Sequence, residues 1–194
     1  NTDIFYNYEY AFYDSHLVSE FEKFKSHYIR FSTKPFDFLN IQAGLGTGNE
    51  IAYREEIPEL GDRFSFNTSI EVTLNNNLRI KPSVNFSKLK KLDSQEYFFD
   101  GYIARFDIRY QFTSSLNLRV ISEYNEFSDQ FFVQPLISWR PNSDTIFYFG
   151  GNQNYIDEFV DYNSPNYRVN KSQLFLKFQY LIKSWYYTSN PIWF

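Results

Sequence analysis

The stretch Ala104-Arg105-Phe106-Asp107-Ile108-Arg109-Tyr110-Gln111-Phe112 alternates apolar and polar residues without a break. Successive side chains of a β-strand point to opposite sides, so this segment has one apolar flank and one polar flank. Ala104, Phe106, Ile108, Tyr110 and Phe112 form the first, and Arg105, Asp107, Arg109 and Gln111 the second. The same period of two recurs upstream. Residues 64–74 set Phe64, Phe66, Thr68, Ile70, Val72 and Leu74 against Ser65, Asn67, Ser69, Glu71 and Thr73. Residues 78–86 set Leu78, Ile80, Pro82, Val84 and Phe86 against Arg79, Lys81, Ser83 and Asn85. Such segments, paired by short turns, predict an all-β chain folded as an antiparallel up-and-down transmembrane β-barrel.

Composition points the same way. Aromatic residues make up 22% of the chain, with 23 Phe and 17 Tyr, yet the mean hydropathy of -0.49 is that of a polar protein. A barrel wall reconciles the two by interleaving lipid-facing with lumen-facing residues. Helical spans are excluded, because no run of about 20 apolar residues exists. The net charge of -4 leaves no footprint for nucleic acid, and the absence of cysteine rules out disulfides, thiolate metal sites and thiol catalysis.

The alternation predicts about ten strands, at 3–14, 21–33, 36–47, 62–75, 77–88, 98–113, 116–127, 130–140, 144–154 and 172–184. No linker divides residues 1–194, which read as one domain. Short turns are expected at Thr33-Lys34-Pro35, Asn75-Asn76-Asn77, Thr113-Ser114-Ser115 and Pro141-Asn142-Ser143, and longer links at 48–61, 89–97 and 155–171. Short turns at one rim and long loops at the other are typical of an outer-membrane barrel. Strand character begins at once, with Ile4, Tyr6, Tyr8, Tyr10 and Phe12 in alternation, which suggests the C-terminal part of a larger barrel. A soluble ligand-binding β-barrel reads the same with the faces exchanged. Long strands, alternating loop lengths and aromatics near strand ends, such as Tyr110, Phe112, Trp139 and Tyr180, favour the membrane reading.

Residues 98–184 also carry two recognisable pieces. Trp139-Arg140-Pro141-Asn142-Ser143-Asp144-Thr145-Ile146-Phe147 and Ser172-Gln173-Leu174-Phe175-Leu176-Lys177-Phe178-Gln179-Tyr180 resemble the penultimate hairpin and last strand of a Bacteroidota outer-membrane family of unknown function, the DUF5916 type. The resemblance covers under half of the chain. It implies a C-terminal outer-membrane β-barrel, in a parent that often begins with a carbohydrate-binding-like module of the family 9 sort. The tail Trp185-Tyr186-Tyr187-Thr188-Ser189-Asn190-Pro191-Ile192-Trp193-Phe194 runs past the family's expected end.

Signals for chemistry are thin. No catalytic, cofactor-binding or metal-ligating set is assigned, and no cofactor is expected. His16, beside Asp14 and Ser15, is a faint echo of an outer-rim hydrolase, while His27 reads as an ordinary strand residue. Gly44, Gly46 and Gly48 look like a phosphate loop but lack the following Lys and helix; close packing or bending of the wall explains them better. Glu50, Glu55, Glu56 and Glu59 in one link, and Asp157, Glu158 and Asp161 in another, are solvated carboxylates or hard-oxygen ligands for calcium.

If the apolar flank meets lipid, Phe64, Phe66, Ile70, Ile80, Phe106, Ile108, Tyr110, Phe112, Leu176 and Phe178 face the bilayer. Arg63, Glu71, Arg79, Lys81, Arg105, Asp107, Arg109, Arg119, Glu123 and Lys177 then line the lumen, with Arg30 beside them. A ladder of ion pairs filling a narrow interior is favoured over a selective pore. The expected function is an anchor, scaffold or passage component of the bacterial outer membrane, without catalysis, whose partners are the lipid bilayer and other outer-membrane or periplasmic proteins. The alternative is the barrel of a glycan-handling protein or enzyme whose working domain lies upstream.

The face assignment is testable in detergent. Ile108→Arg should impair assembly, because a cation at mid-bilayer costs about 2 to 4 kcal/mol, whereas Arg109→Ile should be milder. Heat-modifiable migration in gels should rank the two in that order.

Overall fold

The computed structural model describes residues 2–14, 20–94, 96–157 and 167–182. They form one antiparallel sheet of ten strands in chain order. The strands are β1 (Thr2–Asp14), β2 (Glu20–Phe36), β3 (Leu39–Ala52), β4 (Glu59–Leu74), β5 (Leu78–Lys91), β6 (Tyr97–Gln111), β7 (Leu116–Asn125), β8 (Gln130–Asn142), β9 (Thr145–Asp157) and β10 (Tyr167–Tyr180). Among the described residues a single 3-10 turn, Glu126–Ser128, interrupts the meander. The expected all-β, up-and-down architecture is present. Closure is not: β1 and β10 are the two edges of an open sheet. Alternation within a strand fixes its two faces, but nothing local specifies that the first strand should pair with the last.

The hairpins hold two corrections to the expected boundaries. The first turn lies at Asp37–Phe38 and not at 33–35, since β2 continues to Phe36. Pro35 cannot donate to the ladder, and the strand absorbs it as an irregularity, with the register shifting between Thr33 and Phe36. The last short turn moves likewise to Ser143–Asp144, with a register shift between Trp139 and Asn142 around Pro141. There the side-chain oxygen of Asn142 accepts from the Asp144 backbone N–H at 3.0 Å. The turn at 75–77 stands as expected. Asn75 and Asn76 adopt φ of 50° and 56°, the left-handed region that asparagine tolerates and that tight hairpins require.

The longer links shrink for one reason: backbone pairing runs further than side-chain alternation. β3 and β4 stay paired to Ala52 and Glu59, which leaves 53–58 of the expected 48–61. The link at 89–97 becomes 92–96. β10 spans Tyr167–Tyr180 where 172–184 was expected, and residues 158–166 lie outside the described residues, as does the tail from 183 onward. The rims still differ. Turns 37–38, 75–77, 112–115 and 143–144 share one rim with the start of β1 and the end of β10; links 53–58, 92–96 and 126–129 lie at the other.

Residues directly opposed across antiparallel strands point to the same side, so the register traces each face. One row crosses the entire sheet as Ile4, Phe31, Ala43, Thr68, Val84, Ala104, Tyr124, Phe131, Tyr155 and Val169. The adjoining row reads Phe5, Arg30, Gly44, Asn67, Asn85, Ile103, Asn125, Gln130, Ile156 and Arg168. One face is therefore apolar and the other mixed but mainly polar. No second layer covers the apolar side among the described residues. Phe106 is 48% exposed, Phe149 53% and Leu176 75%. Leu89 and Ile121, two of the few buried hydrophobic residues, lie on the polar side instead.

The rows also drift relative to the rim. Leu74, Leu78, Tyr110, Leu118, Ile137, Phe149 and Leu176 oppose one another in sequence. Leu78 adjoins the turn at 75–77, whereas Ile137 and Phe149 sit well inside their strands, away from Ser143–Asp144. Such a stagger tilts the strands relative to the rim.

Candidate functional site on the charged face

All ten residues expected to line a lumen share the polar face. Arg63 and Glu71 come from β4, Arg79 and Lys81 from β5, and Arg105, Asp107 and Arg109 from β6. Arg119 and Glu123 come from β7, and Lys177 from β10. Of the ten expected on the apolar side, nine lie on apolar-face strand positions, while Phe112 falls just past the end of β6. Its ring meets Tyr110 edge-on at 4.7 Å.

Four carboxylates of this face, Glu50, Glu71, Asp107 and Glu123, each pair with an arginine. Arg105 donates to Glu123 at 3.2 Å across the β6–β7 boundary. Asp107 is the most engaged: Arg109 grips it through Nε and a terminal nitrogen, both at 3.1 Å, and Arg119 adds a third bond at 3.2 Å. Arg79 Nε lies 3.5 Å from Glu71. Planar guanidinium forks suit this shared, multidentate use of one carboxylate. Arg63 pairs with Glu50 at 3.2 Å; the longer β3 brings Glu50 out of the expected 48–61 link and into the sheet. Lys177 takes no carboxylate among the described contacts and lies over the Tyr148 ring at 5.8 Å.

A second cluster was not foreseen. Tyr28 on β2 extends across β3, its hydroxyl accepting from Asn67 of β4 at 3.4 Å and from Arg30 Nε at 3.4 Å. Only glycine beneath permits this. A Cβ on Gly44 would collide with the Tyr28 hydroxyl and stand 2.8 Å from the Asn67 amide. Gly48, at φ 152°, occupies a conformation that side chains disfavour. The i, i+2 spacing of Gly44, Gly46 and Gly48 was visible in the sequence; the aromatic ring laid over it belongs to the neighbouring strand. These glycines shape a strand and cradle no phosphate loop.

Other sequence candidates disperse. His27 lies on the apolar face, its Nδ1 2.8 Å from the Tyr6 hydroxyl and its ring 4.8 Å from Tyr8. Ser15, His16, Glu158 and Asp161 fall outside the described residues. Among the described residues no group of three or more His, Cys, Asp and Glu is placed to hold a metal ion. No family model, curated protein or solved structure matches the chain. The DUF5916 resemblance therefore rests on the motif residues alone.

Asp107 anchors the face more than Glu123 does, since it keeps two guanidiniums apart from simple repulsion. Asp107→Asn should destabilise the protein by about 1 to 3 kcal/mol, nearer the lower figure because Arg109 and Arg119 remain partly exposed. Glu123→Gln should cost less. Urea unfolding in detergent, followed by tryptophan emission, compares the two midpoints.

Proposed function

We propose that the chain forms wall of an outer-membrane β-barrel, complete or contributing to a larger one, and serves as a non-enzymatic anchor or scaffold whose charged face fills the interior. The observation that carries this reading is the inverted burial. A ten-strand sheet presents its large apolar residues outward and unpacked, while its ion pairs lie on the more enclosed side. Water penalises such a face, and hydrocarbon does not.

The apolar band has a fitting height. On β4 it runs from Phe64 to Leu74, beyond which the same face turns polar at Asp62, bonded to Asn49 at 2.9 Å. Ten rises of about 3.4 Å, tilted by about 40° to 45°, give roughly 25 Å, the height of an outer-membrane band. β5 and β6 turn polar beside Phe64, where Lys88 opposes Asp100. At the short-turn rim the face ends in aromatics: Phe36 stacks on Phe38 at 5.3 Å and Trp139 on Phe147 at 5.3 Å. Rings at that position match an interfacial girdle. Strands of 10 to 17 residues are long enough to cross.

Closure is part of the proposal. β1 and β10 run antiparallel in an even-numbered meander, so they can join to each other or to further strands.

Two measurements test the reading. A protease site placed in the 53–58 link or near Asn163 should be cut on intact cells, and one at Asn76 should be protected; cleavage at Asn76 alone would invert the topology. In planar bilayers the purified chain should give no steady large conductance, and Arg105→Gln with Arg109→Gln should loosen the fold more than it alters ion flow. Reproducible anion-selective channels abolished by that double change would establish a pore in place of a filled interior.

A further inference from the structure

The polar face carries a charge imbalance in one place. Arg79, Arg109 and Arg119 are directly opposed on β5, β6 and β7, three guanidiniums side by side across adjacent strands. Like charges in direct opposition repel, so the row needs anions. The chain supplies two, Glu71 at 3.5 Å from Arg79 and Asp107 shared between Arg109 and Arg119. Lys81 stands opposite Asp107 on the same face and deepens the excess of positive charge.

Two further observations make the place a site. Arg119 Nε is buried with no hydrogen-bond partner, and a charged donor left without an acceptor is rare and costly in a folded protein. The row also borders a depression of about 410 Å³ whose lining contains no Asp or Glu. Toward the short-turn rim its floor continues as Gln111, Asn117 and Ser138, opposed in register on β6, β7 and β8. Cations at one wall and neutral amide and hydroxyl groups at the other are complementary to an oxyanion. The volume falls within the range of small-ligand sites.

We propose that the depression over Arg79, Arg109 and Arg119 binds a free small oxyanion of the phosphate or carboxylate type, carrying at least two negative oxygens. Arg79 and Arg119 bracket it with the accessible parts of their half-exposed guanidiniums, and Asn117 and Ser138 complete its hydrogen bonds. The ligand neutralises the row that Glu71 and Asp107 leave incompletely balanced. The geometry requires the open sheet alone and holds whether or not the sheet closes in a membrane.

The test uses the full chain in neutral detergent, with inorganic phosphate and succinate as probes. Phenylglyoxal modification of each arginine, read by mass spectrometry, should slow at Arg79, Arg109 and Arg119 when either probe is present, while Arg63 and Arg105 react as before. Arg119→Gln should weaken binding of the protecting probe by about tenfold or more, as expected for loss of a charge-assisted contact; Arg63→Gln should leave it unchanged. Equal modification rates with and without both probes would overturn the site, and this readout needs no variant to fold. Unchanged affinity in Arg119→Gln would overturn it as well. So would protection seen only in micelles doped with phosphatidylglycerol, which would make the anion a lipid headgroup and not a free ligand.

Discussion

Backbone pairing without a covering layer is the constraint on which the rest of this structure depends. Among the described residues eight inner strands satisfy their N–H and C=O groups against neighbours on both sides and the two edge strands on one, and the sheet that results has two faces but no partner sheet. In a sandwich the apolar sides of two sheets meet and exclude water. Here the apolar side stays outward, so its stability depends on what solvent it meets. A hydrocarbon phase removes the penalty of exposure and at the same time makes unpaired backbone groups intolerable, which favours long, uninterrupted ladders of the kind seen from Glu59 to Lys91.

The polar side follows from the same geometry. With side chains forced onto it at every second position, charges stand within reach across strands and must be matched there. Asp107 between Arg109 and Arg119, Glu123 with Arg105 and Glu50 with Arg63 are local solutions, each made from neighbouring strands or from positions two apart. Several of these pairs are half-exposed, and individually they add little stability. Their larger effect is to fill space and to fix how strands lie against one another. Where matching fails, at the row of three arginines, the residual field creates chemistry that the rest of the face lacks.

Glycine, asparagine and, at Asp129, aspartate carry the positive-φ positions among the described residues. Tyr28 lies flat over β3 because Gly44 and Gly46 present no side chain, which lets a single ring bridge three strands. Asn75 and Asn76 close a hairpin in left-handed conformation, and the β2–β3 and β8–β9 hairpins shift register at Pro35 and around Pro141.

The sequence by itself determined the strands, their antiparallel meander and which residues share a face, because a period of two is local and each strand carries it independently. It located the turn at 75–77 from three consecutive asparagines but misplaced the turns near Pro35 and Pro141, where a proline that reads as a break is taken up as a bulge. It also overestimated the links at 48–61 and 89–97, since backbone hydrogen bonds extend past the last alternating side chain. Only the tertiary structure decided which charges meet, such as Glu50 with Arg63, and that Arg79, Arg109 and Arg119 stand in one row. Those outcomes depend on register between strands far apart in sequence, and a shift of one residue would exchange every partner across the sheet. Alternation encodes the direction of a side chain; pairing alone fixes its neighbour.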